Sequence, residues 1–305
     1  VGCGRGEEPS GIAAEPTPET VPQAPEPTGE LPPEVLEALK AIHVRQQCNR
    51  VMGCTPAIAL FQAGTAAVPA MIDDVTRGQK NPDYGTLRIV DLLGQLDDDR
   101  ALPVLHAMLS SGRWEARATA ALAVARLKRP ESRELVESNL QSAAAQKDLP
   151  AHAALLLAAD RLKLPLDPSP RTQLTTLVSI PEREAAQLNP GPFSFVIRII
   201  REARLRGGLN LTRLGATHIN RFIRLEALQT LGVLKDTVGI PYCISRLDDE
   251  LPSVRRTALG CLQQITGTYD RTEPEAWKAW CESRNCREAY LAVQPSPPDP
   301  APSSD

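Results

Sequence analysis

The sequence predicts an all-α fold, a right-handed α-solenoid of stacked helix pairs with disordered Pro-rich ends. Three observations carry that expectation. Ile240, Ile244 and Leu247 recur at helical spacing, and Val254, Ala258, Cys261, Leu262 and Ile265 form a second apolar stripe just beyond. Between the stripes, Asp248 to Ser253 supplies acids and a Ser to cap a new helix, as Lys235-Asp236-Thr237 does before Ile240. Finally, Leu93, Gly94, Leu96, Pro103, Leu109, Arg117, Thr119 and Ala120 recur without a gap as Leu231, Gly232, Leu234, Pro241, Leu247, Arg255, Thr257 and Ala258. One helix pair spends about 31 residues, too few to bury both its faces, so copies must stack on one another.

In chain order, residues 1–34 are rich in Pro, Glu, Thr and Gly and poor in apolar side chains, and read as a disordered, semi-stiff tether. Residues 35–290 form the array. Leu36, Leu39 and Ile42 share one face of a capping helix, and a helix–turn–helix with Pro69 near a helix start occupies 57–75. The well-formed copy at 86–127 contains Asp97-Asp98-Asp99, which lacks the ligand spacing of a calcium loop and reads as helix capping. A loop-rich, Pro-rich interruption falls at about 164–192, after a less regular repeat at 129–165. Near the end, Trp277 and Trp280 share a helix side and are expected to cover the last repeat's open apolar face. Residues 291–305 read as a second disordered tail.

Composition suits this architecture. Hydrophobic residues make up 42% but aromatics only 4%, so the core must be aliphatic and closely packed. Net charge is −3, yet with the acidic first 34 residues set aside the remainder is slightly basic. The basic side chains concentrate between Phe193 and Arg224. Arg198, Arg201, Arg204, Arg206, Arg221 and Arg224 are the candidate partner-binding residues, on a positive surface suited to an anionic protein, lipid headgroup or glycan. No aromatic residues interleave with the Arg on this helix face, so nucleic acid is not expected.

Of the seven Cys, Cys3 stands apart in the tether. Cys48 with Cys54 and Cys281 with Cys286 are candidate disulfides, each requiring a helix to end inside its loop, with free thiols as the alternative. Cys243 and Cys261 read instead as buried thiols acting as small hydrophobes, because a hairpin turning near residue 250 places Cys261 about four residues too far along. His43, His106, His152 and His218 are scattered, and no Gly-rich phosphate loop or nucleophile elbow is present. No catalytic residue, metal ligand or cofactor is expected. No run of about 18 or more apolar residues occurs.

The run Leu231-Gly232-x-Leu234-x-Asp236, Pro241, Leu247-x-Asp249, Val254-Arg255-x-x-Ala258-Leu259 resembles bacterial HEAT-like repeats, the kind grouped with phycobilisome lyases. The likeness covers roughly residues 57–127 and 219–282. It implies a ladder between repeats made by the turn Asp and the Arg early in the second helix. Asp249 and Arg255 match those positions, whereas Arg117 has Ser111, and Arg224 has His218, where the acid would stand. Val1-Gly2-Cys3 resembles the end of a bacterial lipobox, implying acylation at Cys3; the alternative is a plain Cys in a disordered tail. The expectation is a monomeric, non-catalytic scaffold, lipid-anchored on the periplasmic or extracytoplasmic face of the bacterial cell envelope, that binds a protein partner. The alternatives are a structural envelope component without a discrete ligand and a lyase-like enzyme.

Overall fold

A computed structural model describes residues 31–44, 48–49, 53–185 and 187–283. Sixteen α-helices occur among them. Helix α1 (Pro33–Ala41) packs on α2 (Thr55–Gln62), α3 (Val68–Gly78) on α4 (Tyr84–Leu93), α5 (Leu102–Leu109) on α6 (Trp114–Leu127), and α7 (Arg133–Ala145) on α8 (Leu149–Arg161). Beyond α9 (Pro170–Val178) and the single-turn α10 (Glu182–Ala185) come α11 (Pro190–Ala203), α12 (Leu209–Thr217) with α13 (Arg221–Val233), α14 (Ile240–Ile244) with α15 (Pro252–Thr266), and α16 (Pro274–Glu282). The second helices stack in one unbroken inner row: α2, α4, α6, α8, α11, α13, α15. This is an all-α solenoid.

Proline marks the starts of these helices. It occupies the first or second position of α1, α2, α3, α5, α8, α9, α11, α14, α15 and α16, where its missing N–H costs nothing and its fixed φ fits the helix. The Pro-rich stretch at 164–192 is therefore not the loop its composition suggested. Pro170 starts α9, which packs chiefly against α8, and Pro190 starts α11. Helix α1 likewise begins at Pro33, inside the segment assigned to the tether.

The centre of the inner row is built from alanine. Ala116, Ala118, Ala120, Ala121, Ala123 and Ala125 of α6 are fully buried, as are Ala151, Ala153, Ala154, Ala158 and Ala159 of α8. Small side chains let these two helices approach closely. Gly94, just past α4, shows how tight the approach is. A Cβ there would lie 2.5 Å from the Cα of Ala123.

Repeats are tied to one another by arginines, and the pattern corrects the expected ladder. Arg117 donates to the Ser111 carbonyl of its own turn at 2.7 Å and to the Asp148 carboxylate of the following unit. Arg224 does the same, using the His218 and Ile219 carbonyls and the Asp249 carboxylate. Within the turn only a backbone oxygen is needed, so Ser111 and His218 serve as well as an acid. Arg255 follows suit with the Asp249 and Glu250 carbonyls.

Cys243 and Cys261 form a disulfide with Cα atoms 6.3 Å apart, contrary to their reading as thiols. The seven residues between α14 and α15 are turn and bend rather than helix. Non-helical backbone covers more than the ~1.5 Å per residue of an α-helix, which carries Cys243 back to the level of Cys261. Cys54 and Cys281 are also disulfide-bonded. Cys48 pairs with Cys54 across a two-residue antiparallel ladder of β1 (Cys48–Asn49) and β2 (Gly53–Cys54). Cys3 and Cys286 lie outside the described residues. Trp277 is fully buried, donates from Nε1 to the Arg271 carbonyl, and meets Trp280 edge-to-face at 5.6 Å.

At the other end, His43 joins the first helix pair to the second. Its Nδ1 lies 2.9 Å from Asp83, the N-cap of α4, and its Nε2 lies 3.0 Å from Asp74 of α3. Burial would lower the pKa of His43, but Asp83 and Asp74 outweigh it and raise it. The protonated ring therefore stabilises the folded end fully below about 6.5, its ordinary pKa, and the contribution is lost as pH rises through the raised value. Amide exchange in α1 should accelerate over that window in the wild type and lose the pH step in His43→Gln. Gly94→Ala should lower the urea midpoint by about 1–3 kcal/mol of stability, whereas Gly112→Ala, with open space at its Cβ, should show no steric penalty.

Candidate functional site

The inner row encloses a groove of about 680 Å³, lined by α4, α6, α11 and α13. The inner helices run in the same sense, so residues from their first turns gather at one end and residues from their last turns at the other.

The end formed by the first two turns is aromatic. Tyr84, Trp114, Phe195 and Phe222 come from four different inner helices. Trp114 meets Phe195 edge-to-face at 6.2 Å, and Gly191 keeps the space beside the indole open, since a Cβ there would lie 3.2 Å from Trp114 Cζ2. The Arg221 guanidinium sits 4.8 Å over the Phe222 ring. These aromatics do not interleave with the arginines of one helix face; they come from neighbouring inner helices or an earlier turn, where that face could not reveal them.

The last-turn end is ionic and centres on Asp91 of α4. Its carboxylate is 2.7 Å from Arg126 of α6, 2.5 Å from Arg198 of α11 and 3.6 Å from Arg88 of its own helix. Arg126 also binds Glu202 at 2.5 Å, and Arg161 of α8 approaches Glu202 at 3.8 Å. Beside this cluster, Arg201 pairs with Glu226 of α13 at 2.8 Å and donates to Gln229. Asp91 is only 4% exposed. Burial would raise its pKa, yet Arg198, Arg126 and Arg88 hold it down to about 2. Glu202 is lowered too, its burial outweighed by the Arg126 hydrogen bond and the charges of Arg126, Arg198 and Arg161.

The six arginines expected to form one patch are divided. Arg198 and Arg201 face the groove, already paired with carboxylates. Arg204, Arg206 and Arg221 are exposed, with Arg204 in the left-handed conformation that ends α11. Arg224 is 5% exposed and belongs to the inter-repeat ladder. Sequence reasoning missed Asp91, Arg126, Glu202 and Trp114. Asp91 did carry a signal, being an acid inside the apolar run Ile89-Val90-Asp91-Leu92-Leu93.

Among the described residues, no group of three or more His, Cys, Asp or Glu is placed to hold a metal ion. Asp98 caps the turn before α5 by accepting from the Arg100 N–H. No single described helix is long and apolar enough to cross a membrane; the bent pair Thr55–Gln62 with Gly64–Gly78 reaches that threshold by length and composition only.

Residues 78–158 match the HEAT repeats family. Among solved structures, the chain is similar to human deoxyhypusine hydroxylase in complex with glycerol, at 15% identity over 77% of this chain and 96% of that one, with a TM-score of 0.41. It is also similar to the complex of CpcE and CpcF of phycocyanin lyase from Nostoc sp. PCC7120, at 15% identity over 89% of this chain and all of that one, with a TM-score of 0.42. No curated protein matches.

Asp91→Asn would leave three guanidiniums around a neutral amide. It should cost about 3–5 kcal/mol, the usual penalty for removing one side of a buried ion cluster, read as a lower urea midpoint near neutral pH. Because the Asp91 pKa is lowered, that margin is present above about 3.9 and lost as pH falls toward the folded value. Wild type and variant should therefore converge in acid.

Proposed function

We propose, from the premise that the chain is a HEAT-like repeat protein, that it is a non-catalytic scaffold that engages a protein partner through the groove of its inner helices. Stacked repeats present one continuous concave surface, the usual binding face of such arrays. The observation that carries the reading is the two-zone groove, with four aromatic side chains at one end and a partly buried arginine–carboxylate cluster at the other. Aromatic and Arg side chains are the residue types that dominate binding energy at protein interfaces. The further reading of a lipid-anchored adaptor on the extracytoplasmic face of a bacterial envelope rests on the Val1-Gly2-Cys3 pattern and the Pro/Glu-rich segment behind it.

The test is crosslinked capture from native membranes, comparing the wild type with Trp114→Ala and Phe222→Ala. One dominant polypeptide should be recovered, and capture should weaken roughly 30-fold in each variant, the size of a lost hot spot of about 2 kcal/mol. Far-ultraviolet circular dichroism should show the variants folded. Recovery of the bait alone, or undiminished capture by both variants, would overturn the groove as the binding face.

A further inference from the structure

A histidine outside the groove is tied to its aromatic end. His43, just past α1, places both ring nitrogens on carboxylates. Nδ1 lies 3.0 and 2.9 Å from the two oxygens of Asp83, and Nε2 lies 3.0 Å from Asp74. A neutral imidazole has one N–H and one bare nitrogen, and the bare nitrogen would face a carboxylate lone pair to lone pair. Only the imidazolium satisfies both contacts. The ring is also pressed against the first turn of α4, since a Cβ on Gly85 would lie 2.5 Å from Nδ1. Among the described residues, no other ionisable side chain contacts it. On α3, Arg77 touches only the other oxygen of Asp74, at 3.5 Å, and Asp73 is exposed. On α4, Tyr84 and Arg88 line the groove instead. Helix α2 carries no charged side chain, and Glu37 and Lys40 of α1 are exposed.

Losing the proton breaks one of the two ties, and burial decides which. The Asp74 side chain is 14% exposed and that of Asp83 is 52% exposed. Water can take over at Asp83, whereas an unpaired Asp74 would carry the larger desolvation cost. The remaining proton therefore stays on Nε2, and Asp83 is released. Asp83 is the N-cap of α4, accepting from the Thr86 N–H at 2.8 Å. The next residue, Tyr84, lines the groove. The preceding carbonyl, that of Pro82, accepts from Arg113 at 2.6 Å, and Arg113 is the N-cap residue of α6, directly before Trp114. A single turn, residues 82–84, joins His43 to the two aromatics that open α4 and α6.

We propose that His43 is a pH switch on the groove. Protonated, it clamps the 82–84 turn and fixes Tyr84 and Trp114 for a partner; neutral, it frees that turn and loosens the aromatic end. The inference rests on the groove being the binding face. Burial opposes protonation of His43, but Asp83 and Asp74 outweigh it and raise the pKa. The clamp is therefore complete below about 6.5 and is lost as pH rises through the raised value. Burial shifts His106, His152 and His218 the other way, so they titrate on the acid side of His43.

The experiment uses the full chain labelled with fluorotryptophan and follows its fluorine NMR spectrum from about pH 5 to 8.5, the range over which histidines titrate. The Trp114 signal is assigned with Trp114→Phe. It should move in one step with a midpoint above about 6.5, while Trp277 and Trp280, both on α16 at the far end of the array, should not follow. His43→Gln should abolish the step. Asp83→Asn keeps an N-cap oxygen for Thr86 but removes one carboxylate, and should move the midpoint downward. Crosslinked capture from native membranes at about pH 6 and 8 should weaken at the higher pH in the wild type and not in His43→Gln. A flat Trp114 signal, a step that survives His43→Gln, a midpoint unmoved by Asp83→Asn, or capture that ignores pH would each overturn the switch. A Trp114 step with no partner captured at either pH would instead overturn the groove as the binding face and leave His43 as a conformational switch.

Discussion

The Asp91 carboxylate lies almost out of contact with water and accepts from Arg198, a residue 107 positions further along the chain. Between their helices, α4 and α11, the inner row inserts α6 and α8. In a gently curved array, inner helices three apart could not touch. Here they do, with the alanine-rich faces of α6 and α8 packed closely between them. Placing a carboxylate in the gap costs several kcal/mol of desolvation, and only converging guanidiniums repay it. A buried ion cluster gives little net stability over an apolar filling. Its contribution here is to geometry, since it is satisfied at one curvature and strained at any other.

The groove's chemistry follows from that curvature together with the uniform direction of the inner helices. Trp114, Tyr84, Phe195 and Phe222 lie in different repeats, and nothing local unites them. They converge because Tyr84, Trp114 and Phe222 open their helices and Phe195 lies in the second turn of α11, while Asp91, Arg126 and Glu202 lie in the last turns of theirs, with Arg198 one turn before Glu202. Gly191 completes the arrangement: without a side chain on the first turn of α11, the Trp114 indole keeps its place at the aromatic end.

Local features of the fold were legible in the sequence, and features that depend on accumulated geometry were not. Apolar spacing, capping acids and prolines gave the helices, because each signal acts within one or two turns. The same prolines misled at 164–192, where a high Pro count resembled a loop although Pro170 and Pro190 were starting helices. The Cys243–Cys261 bridge was missed because helical rise was assumed through a connection that is not helical. The ladder looked incomplete because an acid was sought within each turn, whereas Arg117 and Arg224 take theirs from the next repeat. In the groove, Arg198 and Arg201 were visible as basic residues. Their carboxylate partners were not, since pairing α11 with α4 depends on the summed rotation of every repeat between them.

These long-range ties also change how the array holds together. In an ideal solenoid each repeat contacts only its neighbours, so stability is a sum of local contributions and folding propagates from any point. Arg198 with Asp91, Arg126 with Glu202, and Trp114 with Phe195 skip that order and bind the second, third and fifth inner helices to one another. Loop closure opposes such contacts until the intervening repeats are in place. The groove therefore depends on every central repeat being in place. A partner that contacted both its aromatic and ionic ends would recognise the completed array rather than any single repeat.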